Sequence, residues 1–194
     1  MLAYDNAYSE FTFGDYVAPS IFEVADIKKD AVIEFHSLSK TFCMTGDRIG
    51  FAVGHADAVR GLGKAKENID SGVPVYIQKT AEIALRSYRD SRKPKEVQAV
   101  ADEYSKRADA LVSALNAIGL RANKPKGTFY VWVNIKHTRM GCMEFAKKAI
   151  VEGVAITPGT AFGEYGHGYM RFAVTQPTDR IKEAVERLGK IVSG

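Results

Sequence analysis

The spacing of apolar residues changes along this chain, and the changes outline its secondary structure. Short runs rich in aliphatic and aromatic residues predict strands at 1–5, 32–35 and 49–53. Apolar residues three or four positions apart predict helices at 56–66, 75–88 and 95–118. Further strands, at 128–135, 155–157 and 169–174, alternate with helices at 143–151 and 178–192. The runs at 32–35 and 49–53 are typical of parallel central strands, so we expect an α/β fold.

The long helix at 95–118 divides this pattern into two parts. Its amphipathic spacing continues for several turns and stops at Gly119, after which a smaller set of strands and helices follows. We therefore interpret residues 1–94 as the end of a large α/β domain. Residues 95–194 are interpreted as a bridging helix and a compact small C-terminal domain.

Composition and charge narrow the possible classes of function. Hydrophobic residues make up 46% of the chain and charged residues 26%, which is ordinary for a globular protein. The net charge of +4 arises from scattered lysines and arginines rather than a basic run, which argues against nucleic-acid binding. No apolar stretch approaches the roughly 20 residues that span a bilayer, and the N-terminus lacks a basic region followed by an apolar segment. We expect no membrane partner and a cytoplasmic location.

Cysteines and histidines give no support for a metal site. Cys43 and Cys142 lie far apart and neither belongs to a C-x-x-C pair, so reduced thiols are expected. The four histidines form no H-E-x-x-H or comparable spacing. One of them, His36, could move protons beside the motif described next, but a histidine at a strand end is more often structural.

The most informative stretch is 37–50, S-L-S-K-T-F-C-M-T-G-D-R-I-G, with Lys40 near its start. Its pattern, S-x-S-K followed by T-G-x-R-x-G, fixes seven positions, and a chance match to so many is rare. The lysine offers an amine to a phosphorylated aldehyde cofactor, and the serines and arginine can hold the phosphate. The glycines are expected to let the loop bend close to it.

This stretch closely resembles the pyridoxal-phosphate attachment site of the fold type I aminotransferases, classes I and II. The neighbouring runs R-I-G-F-A-V-G and N-I-D-S-G-V are most similar to the LL-diaminopimelate aminotransferase branch. The resemblance implies the C-terminal part of a three-layer large domain of the pyridoxal-phosphate transferase type, followed by a small α/β domain. It further implies pyridoxal 5′-phosphate as cofactor, an amino acid and a keto acid as small-molecule partners, and a homodimer.

The resemblance also assigns roles within the cofactor site. Lys40 carries the cofactor, while Ser37, Ser39 and Arg48 form its phosphate cup, where the arginine offers a bidentate pair that a lysine could not. Asp5 precedes Lys40 by 35 residues and pairs with the ring nitrogen, and Tyr8 faces the ring hydroxyl.

Two further residues are assigned to the substrate. Arg171 lies among apolar strand residues, where an unpaired charge is costly, and the family's arginine at this place binds the substrate α-carboxylate. A salt bridge inside the small domain is the alternative. Asn68 matches an asparagine that reaches the neighbouring subunit's active site, with a helix cap as the alternative. One departure is Asp47, which stands where many relatives have an aromatic residue before the phosphate arginine.

The resemblance covers nearly the whole chain but corresponds to the C-terminal half of a family member. Two hypotheses stay open. In the first, the chain is part of an aminotransferase that moves an amino group from an amino acid, such as LL-diaminopimelate, alanine or aspartate, to 2-oxoglutarate or a similar keto acid. In the second, it is a non-catalytic fragment that acts as an oligomerisation or binding module. Residues before Pro94 are expected to be ordered only through association with a second copy or with the other half.

Overall fold

The computed structural model describes residues 1–90 and 92–192 of the chain, which divides into two compact units. The first unit runs from Met1 to Ala101 and the second begins at Asp102. Each unit has a sheet of its own, with three strands in the first and four in the second.

The sheet of the first unit contains β1 (Leu2–Asp5), β2 (Val32–Ser37) and β3 (Gly50–Gly54), in that order. β1 pairs with β2 in parallel, but β3 pairs with β2 antiparallel, with Ser37 opposite Gly50. The expectation that the runs at 32–35 and 49–53 are both parallel strands was therefore wrong for the second run. The twelve residues 38–49 fold back as a compact turn, whereas a parallel partner needs a crossover connection.

Helices complete the first unit. They are α1 (Leu38–Thr41), α2 (Ala56–Glu67), α3 (Val75–Leu85) and the beginning of α4 (Lys95–Ala117). The apolar core is formed by side chains from the loop after β1, from β2 and from these helices: Phe11, Phe13, Val32, Ile33, Leu38, Ile77, Ala81, Val97 and Ala101. The core thus lies beside the turn that carries Lys40.

The second unit has β4 (Arg121–Ala122), β5 (Tyr130–Asn134), β6 (Thr157–Pro158) and β7 (Tyr169–Ala173), in the order β4-β5-β7-β6. All neighbouring strands are antiparallel. Alternate residues of β5 and β7 are buried, among them Val131, Val133, Met170 and Phe172, so one face of the sheet belongs to the core. Buried side chains of α5 (Cys142–Val151) and α6 (Thr178–Val192) belong to the same core.

The boundary between the units falls inside α4, whereas the sequence-based division assigned that whole helix to residues 95–194. Val97 and Ala101, on the first turns of α4, are buried and belong to the first unit. The helix signal ran unbroken through this point, so periodicity alone could not locate the division. The assignment of residues 1–94 and 95–194 to two domains stays a prediction.

The described part of the chain has neither a membrane-spanning helix nor a cluster of metal-ligating side chains. Among residues 1–90 and 92–192, no helix is long and apolar enough to cross a membrane. The same part of the chain contains no group of three or more histidine, cysteine, aspartate or glutamate side chains that could hold a metal ion. The cytoplasmic location stays a prediction.

Candidate active site

Lys40 lies where β2 passes directly into the single turn of α1. Ser37 caps this turn, because its hydroxyl accepts a hydrogen bond from the backbone N–H of Ser39 at 3.3 Å. Leu38, 2% exposed, anchors the turn in the core, and Ser39 is buried as well. The S-x-S-K sequence therefore combines a cap, a core anchor and a buried hydroxyl immediately before the lysine.

Lys40 is half-buried, and its amine lies over the ring of Tyr8, with Nζ 5.8 Å from the ring centroid. Within the part of the chain that the structure describes, this amine forms no ion pair with a carboxylate. The structure thus brings together the lysine and the tyrosine that the sequence assigned to one cofactor, although 32 positions separate them.

Tyr8 is positioned by a hydrogen-bond network that the sequence reasoning missed. The chain leaves β1 at Asn6, whose backbone N–H donates to Phe35 O at 2.9 Å. The Asn6 side chain donates to Glu34 Oε1 at 2.7 Å and to Pro19 O at 3.2 Å, which joins both ends of the loop to β2. A lone glutamate inside the buried run A-V-I-E-F was the available signal, because a buried charge requires partners.

Glu34 is 1% exposed and accepts hydrogen bonds from several groups. The hydroxyl of Ser20 donates at 2.6 Å and the backbone N–H of Ile21 at 3.0 Å. Burial acts to raise the pKa of the Glu34 carboxyl, but the hydrogen bonds from Ser20, Asn6 and Ile21 and the charge of His36 lower it below its usual value of 4.5. The carboxylate is therefore held in its charged form.

His36 takes part in the same network. Its Nε2 lies 3.1 Å from Glu34 Oε1, and its ring stacks on Phe51 at a centroid distance of 4.8 Å. These contacts support the interpretation of His36 as a structural residue that joins β2 to β3.

Arg48 lies on the return of the turn toward β3. Its guanidinium donates to Thr45 O at 3.0 Å, and the Thr45 hydroxyl donates to Ser39 O at 3.2 Å. Within the described residues neither Arg48 nor the neighbouring Asp47 forms an ion pair, so Asp47 does not neutralise the arginine. The arginine is exposed and has donors left for an anion.

The left-handed backbone positions in this turn are not at its glycines. Left-handed backbone occurs at Cys43 (φ 56°) and Arg48 (φ 51°), which are not glycines, whereas Gly46 does not adopt it. Gly50 is required for another reason: a Cβ there would overlap the carbonyl oxygen of His36, so the glycine allows β3 to approach β2. The left-handed positions of the turn are therefore not its glycines, and the expectation that the glycines let the loop bend close to a phosphate stays a prediction.

Two other assigned residues lie at the ends of elements. Asp5 is the exposed last residue of β1, and its Cα is paired with that of Phe35. Asn68 is the C-cap of α2, fully on the surface, and its amide donates to Lys64 O at 2.8 Å. Asn68 thus acts as a helix cap in this chain, at the C-terminal end of the helix, and its side chain remains accessible to a neighbouring molecule.

These residues fit the chemistry of a phosphorylated aldehyde. Lys40 and Arg48 are cations without carboxylate partners among the described residues, and the hydroxyls of Ser37 and Ser39 precede the lysine in the same turn. The amine of a half-buried lysine beside an aromatic ring suits covalent attachment to an aldehyde, and hydroxyls with a guanidinium suit a phosphate.

Arg171 belongs to the second unit, in the middle of β7. It is half-buried, and its guanidinium carbon lies over the rings of Tyr130 and Phe162, 4.1 and 4.3 Å from their centroids. It forms no salt bridge with any carboxylate in the part of the chain that the structure describes, so the alternative of an ion pair within the small domain is not realised there. Sequence reasoning did not single out either ring.

The comparison with protein families is decisive for the class of this chain. Residues 1–188 match the family described as aminotransferase class I and II, and the chain belongs to that family. Members of this family use pyridoxal phosphate, in agreement with the cofactor inferred from the lysine motif.

Within this family, the chain is similar to proteins named LL-diaminopimelate aminotransferase. The chain is 43% identical over 189 residues to LL-diaminopimelate aminotransferase of Desulforudis audaxviator, covering 97% of this chain and 46% of that protein. It is 44% identical to the enzyme of the same name from Aquifex aeolicus, covering 97% of this chain and 47% of the relative. The chain therefore spans about half the length of the curated relatives that it matches.

Solved structures agree with this fold. An aromatic aminotransferase from Pyrococcus horikoshii superposes with a TM-score of 0.89 at 30% identity, over 98% of this chain and 50% of the other. A probable N-succinyldiaminopimelate aminotransferase from Thermus thermophilus gives a TM-score of 0.87 at 30% identity, over 97% of this chain and 49% of the other. The expected α/β fold of the pyridoxal-phosphate transferase type is confirmed.

Proposed function

We propose that this chain carries the cofactor lysine and the substrate-carboxylate arginine of a pyridoxal-phosphate-dependent aminotransferase. The proposal rests on the surroundings of Lys40. This residue is half-buried, and its amine lies over the ring of Tyr8 without a carboxylate partner among the described residues. A lysine held in this way has no structural ion pair to make and is available for covalent attachment.

The residues of the first unit divide the work of holding the cofactor. Lys40 Nζ is the attachment atom, and Ser37, Ser39 and Arg48 would hold the phosphate. Tyr8 would donate to the ring hydroxyl, and Asp5 would keep the ring nitrogen protonated. Pyridoxal phosphate, when bound, supplies an electron sink for negative charge at the substrate Cα.

Two residues would act on the substrate. Arg171 would bind the α-carboxylate, since a guanidinium offers two parallel donors to a carboxylate. Lys40 Nζ would act as the general base that accepts the substrate Cα proton and as the general acid that passes it on away from Cα, as amino-group transfer requires. We propose an amino acid as donor, such as LL-diaminopimelate, alanine or aspartate, and 2-oxoglutarate or a similar keto acid as acceptor. The names of the relatives from Desulforudis audaxviator and Aquifex aeolicus support the first of these donors.

We also propose that the active assembly is a homodimer in which Asn68 serves the neighbouring subunit. The support is the position of Asn68 at the end of α2, where residues 61–72 are all exposed. Sedimentation of the protein over a range of concentrations tests this, and a monomer at every concentration would contradict it.

The cofactor assignment is tested by reduction. The chain is incubated with pyridoxal phosphate, treated with borohydride and digested, and the labelled peptide is identified by mass spectrometry. We expect the pyridoxyl group on Lys40, and its loss in Lys40→Arg. Lys64→Arg, at an exposed lysine of α2, is the matched control and should keep the label.

In the reduction experiment, a label on another lysine as the main product would contradict the assignment of Lys40. A second assay measures amino-group transfer from an amino acid to 2-oxoglutarate. Failure to label any lysine, together with absence of transfer, would favour the alternative of a non-catalytic oligomerisation or binding module.

A further inference from the structure

The β5–β7 strand pair presents a row of large side chains on the face that lies opposite the buried one. Trp132 and Arg171 are directly opposite each other in the antiparallel register, and Tyr130 and Tyr169 are their neighbours on the same face. Trp132 is 43% exposed, whereas Val131 and Val133 between these positions are fully buried. Aromatic rings therefore lie around the Arg171 cation on this face, and a second cation, Lys136, lies over the Tyr169 ring with Nζ 5.1 Å from its centroid.

Arg171 is held on this face by rings rather than by acids. Its guanidinium carbon lies 4.1 Å from the centroid of Tyr130 and 4.3 Å from that of Phe162, well within the distance for a cation–π contact. Among the described residues it has no hydrogen-bond acceptor or carboxylate for its side chain. The two rings thus restrict the guanidinium without using its N–H donors.

The N–H donors of the Arg171 guanidinium stay available because of the shape of this group. Ring faces attract its positive charge, but they do not accept in the directions of its N–H groups, so those donors stay available for a planar anion. An arginine fixed by acids would have to break an ion pair before it could bind a carboxylate. An arginine without any support would lose several rotamers on binding, which costs affinity.

Phe162 is itself placed by a tightly packed segment. It ends the short helical turn Gly159–Phe162, and a Cβ on either Gly159 or Gly166 would overlap the backbone of the other. The buried thiol of Cys142 accepts from Gly168 N–H at 3.2 Å and holds the far end of the same segment. The backbone that carries Phe162 is therefore fixed by contacts that do not involve the arginine.

Space for a ligand lies next to these rings. A cavity of about 410 Å³ is lined by Trp132, Phe162, Tyr165, Gly166 and Tyr169. The ring of Trp132 meets that of Phe162 edge to face, with 5.3 Å between the centroids. Phe162 therefore contacts both Trp132 and Arg171. A ligand that contacts Arg171 changes the surroundings of Trp132.

We propose that Tyr130 and Phe162 are positioning residues that orient the Arg171 guanidinium toward a substrate carboxylate through their ring faces. The inference rests on the proposed function in one respect, namely that Arg171 binds the carboxylate. What it adds is the role of the two rings, which touch the arginine and need not touch the substrate.

The test uses the tryptophan as reporter, since Trp132 is the single tryptophan of the chain. The full chain is titrated with 2-oxoglutarate while its fluorescence is recorded, and the dissociation constant is fitted. We expect Tyr130→Leu and Phe162→Leu each to weaken binding by about fivefold, the order of one cation–π contact at a half-buried site. Tyr130→Phe keeps the ring and should bind like the unsubstituted chain.

A role in folding alone is separated from positioning by a double-mutant cycle. In an Arg171→Gln background, Tyr130→Leu should weaken 2-oxoglutarate binding no further, because the ring acts through the arginine. A second readout needs no ligand: the side-chain N–H resonance of Arg171 should be displaced by the ring currents and should move toward its ordinary position in each leucine variant.

The outcomes distinguish the inference from the function that it rests on. If Arg171→Gln weakens binding while both leucine variants bind normally, the carboxylate role stands and the inference is overturned. If Arg171→Gln leaves binding unchanged, or if the unsubstituted chain shows no saturable response, the carboxylate role fails and the inference fails with it. A leucine variant that weakens binding equally with or without Arg171 would show a structural effect and would also overturn the inference.

Discussion

The side-chain amide of Asn6 donates to Oε1 of Glu34 at 2.7 Å, and this bond ties the loop that carries Tyr8 to the strand that leads into Lys40. Asn6 lies two positions before Tyr8, and Glu34 lies three before Ser37. The distance between the tyrosine ring and the lysine amine therefore depends on a buried carboxylate that touches neither of them.

Removal of this carboxylate should destabilise the first unit. Glu34→Ala leaves the donors of Asn6, Ser20 and Ile21 without their acceptor, and we expect a loss of about 2–4 kcal/mol in the free energy of unfolding. Glu67→Ala, at an exposed position of α2, is the control and should change it by less than about 0.5 kcal/mol. Urea titrations of both variants measure the difference. Equal stabilities would contradict the structural role of the network.

The same carboxylate predicts a pH dependence. The pKa of Glu34 is lower in the folded chain than its usual value of 4.5, so its contribution to stability is complete above that value and is lost as the pH falls through the folded pKa. Glu34→Gln cannot titrate and should lack this part of the acid destabilisation. Unfolding free energies of the two proteins are measured from neutral pH to below pH 4.5. A difference between them that stays constant with pH would contradict the lowered pKa.

The two glycines of the T-G-x-R-x-G motif should respond differently to alanine. A Cβ at Gly50 would overlap the carbonyl oxygen of His36, whereas a Cβ at Gly46 would meet nothing within 4 Å. We expect Gly50→Ala to cost about 1–3 kcal/mol of unfolding free energy by forcing β3 away from β2. Gly46→Ala should lie within about 0.5 kcal/mol of the unsubstituted chain. Denaturant unfolding of the two variants measures both free energies. Equal losses of stability would show that the motif tolerates no side chain at either glycine.

These glycines show what could and could not be predicted from the sequence. The motif located the lysine turn and its hydroxyls, because short-range spacing determines a cap and a tight turn. It did not show that β3 runs antiparallel to β2, since an apolar run looks the same in either direction. It also did not show which residues take the left-handed backbone, because Cys43 and Arg48 carry side chains that usually avoid it.

The contacts around the site were harder to predict for a different reason. The Asn6–Glu34 bond spans 28 positions, and the contact between Arg171 and Phe162 depends on the course of a loop with little regular structure. Periodicity carries no information about such contacts. The sequence did carry one signal, a single charged residue within an apolar strand. This signal indicated a role for Arg171, and the same reasoning at Glu34 would have predicted its hydrogen-bond network.

Arg48 should contribute to cofactor binding through geometry as well as charge. Arg48→Lys keeps the charge but loses the paired donors, and we expect about tenfold weaker binding of pyridoxal phosphate, the equivalent of one charge-assisted hydrogen bond. Arg60→Lys, at an arginine of α2 paired with Asp57, is the matched control and should bind normally. Absorbance titrations with the cofactor give both affinities. Unchanged binding in Arg48→Lys would remove the arginine from the phosphate site.

The two units should differ in their resistance to proteolysis, because their cores differ. Among the largest fully buried side chains of the described residues, Leu38 and Glu34 belong to the first unit and all the others to the second. The sheet of the first unit also leaves apolar residues accessible: Leu2 is 51% exposed, Phe51 39% and Val53 41%. A thin core and an uncovered sheet lower the cost of local opening.

We therefore expect trypsin to cut first within residues 1–94 and to leave a resistant product that contains the second unit. Lysines and arginines occur throughout both parts, so cleavage in urea, where both units are open, controls for the distribution of sites. A second copy of the chain would protect the first unit, so the difference should diminish as the protein concentration rises. The products are identified by mass spectrometry over a dilution series. Equal resistance of both units in a dilute monomer would show that the first unit is stable without a partner.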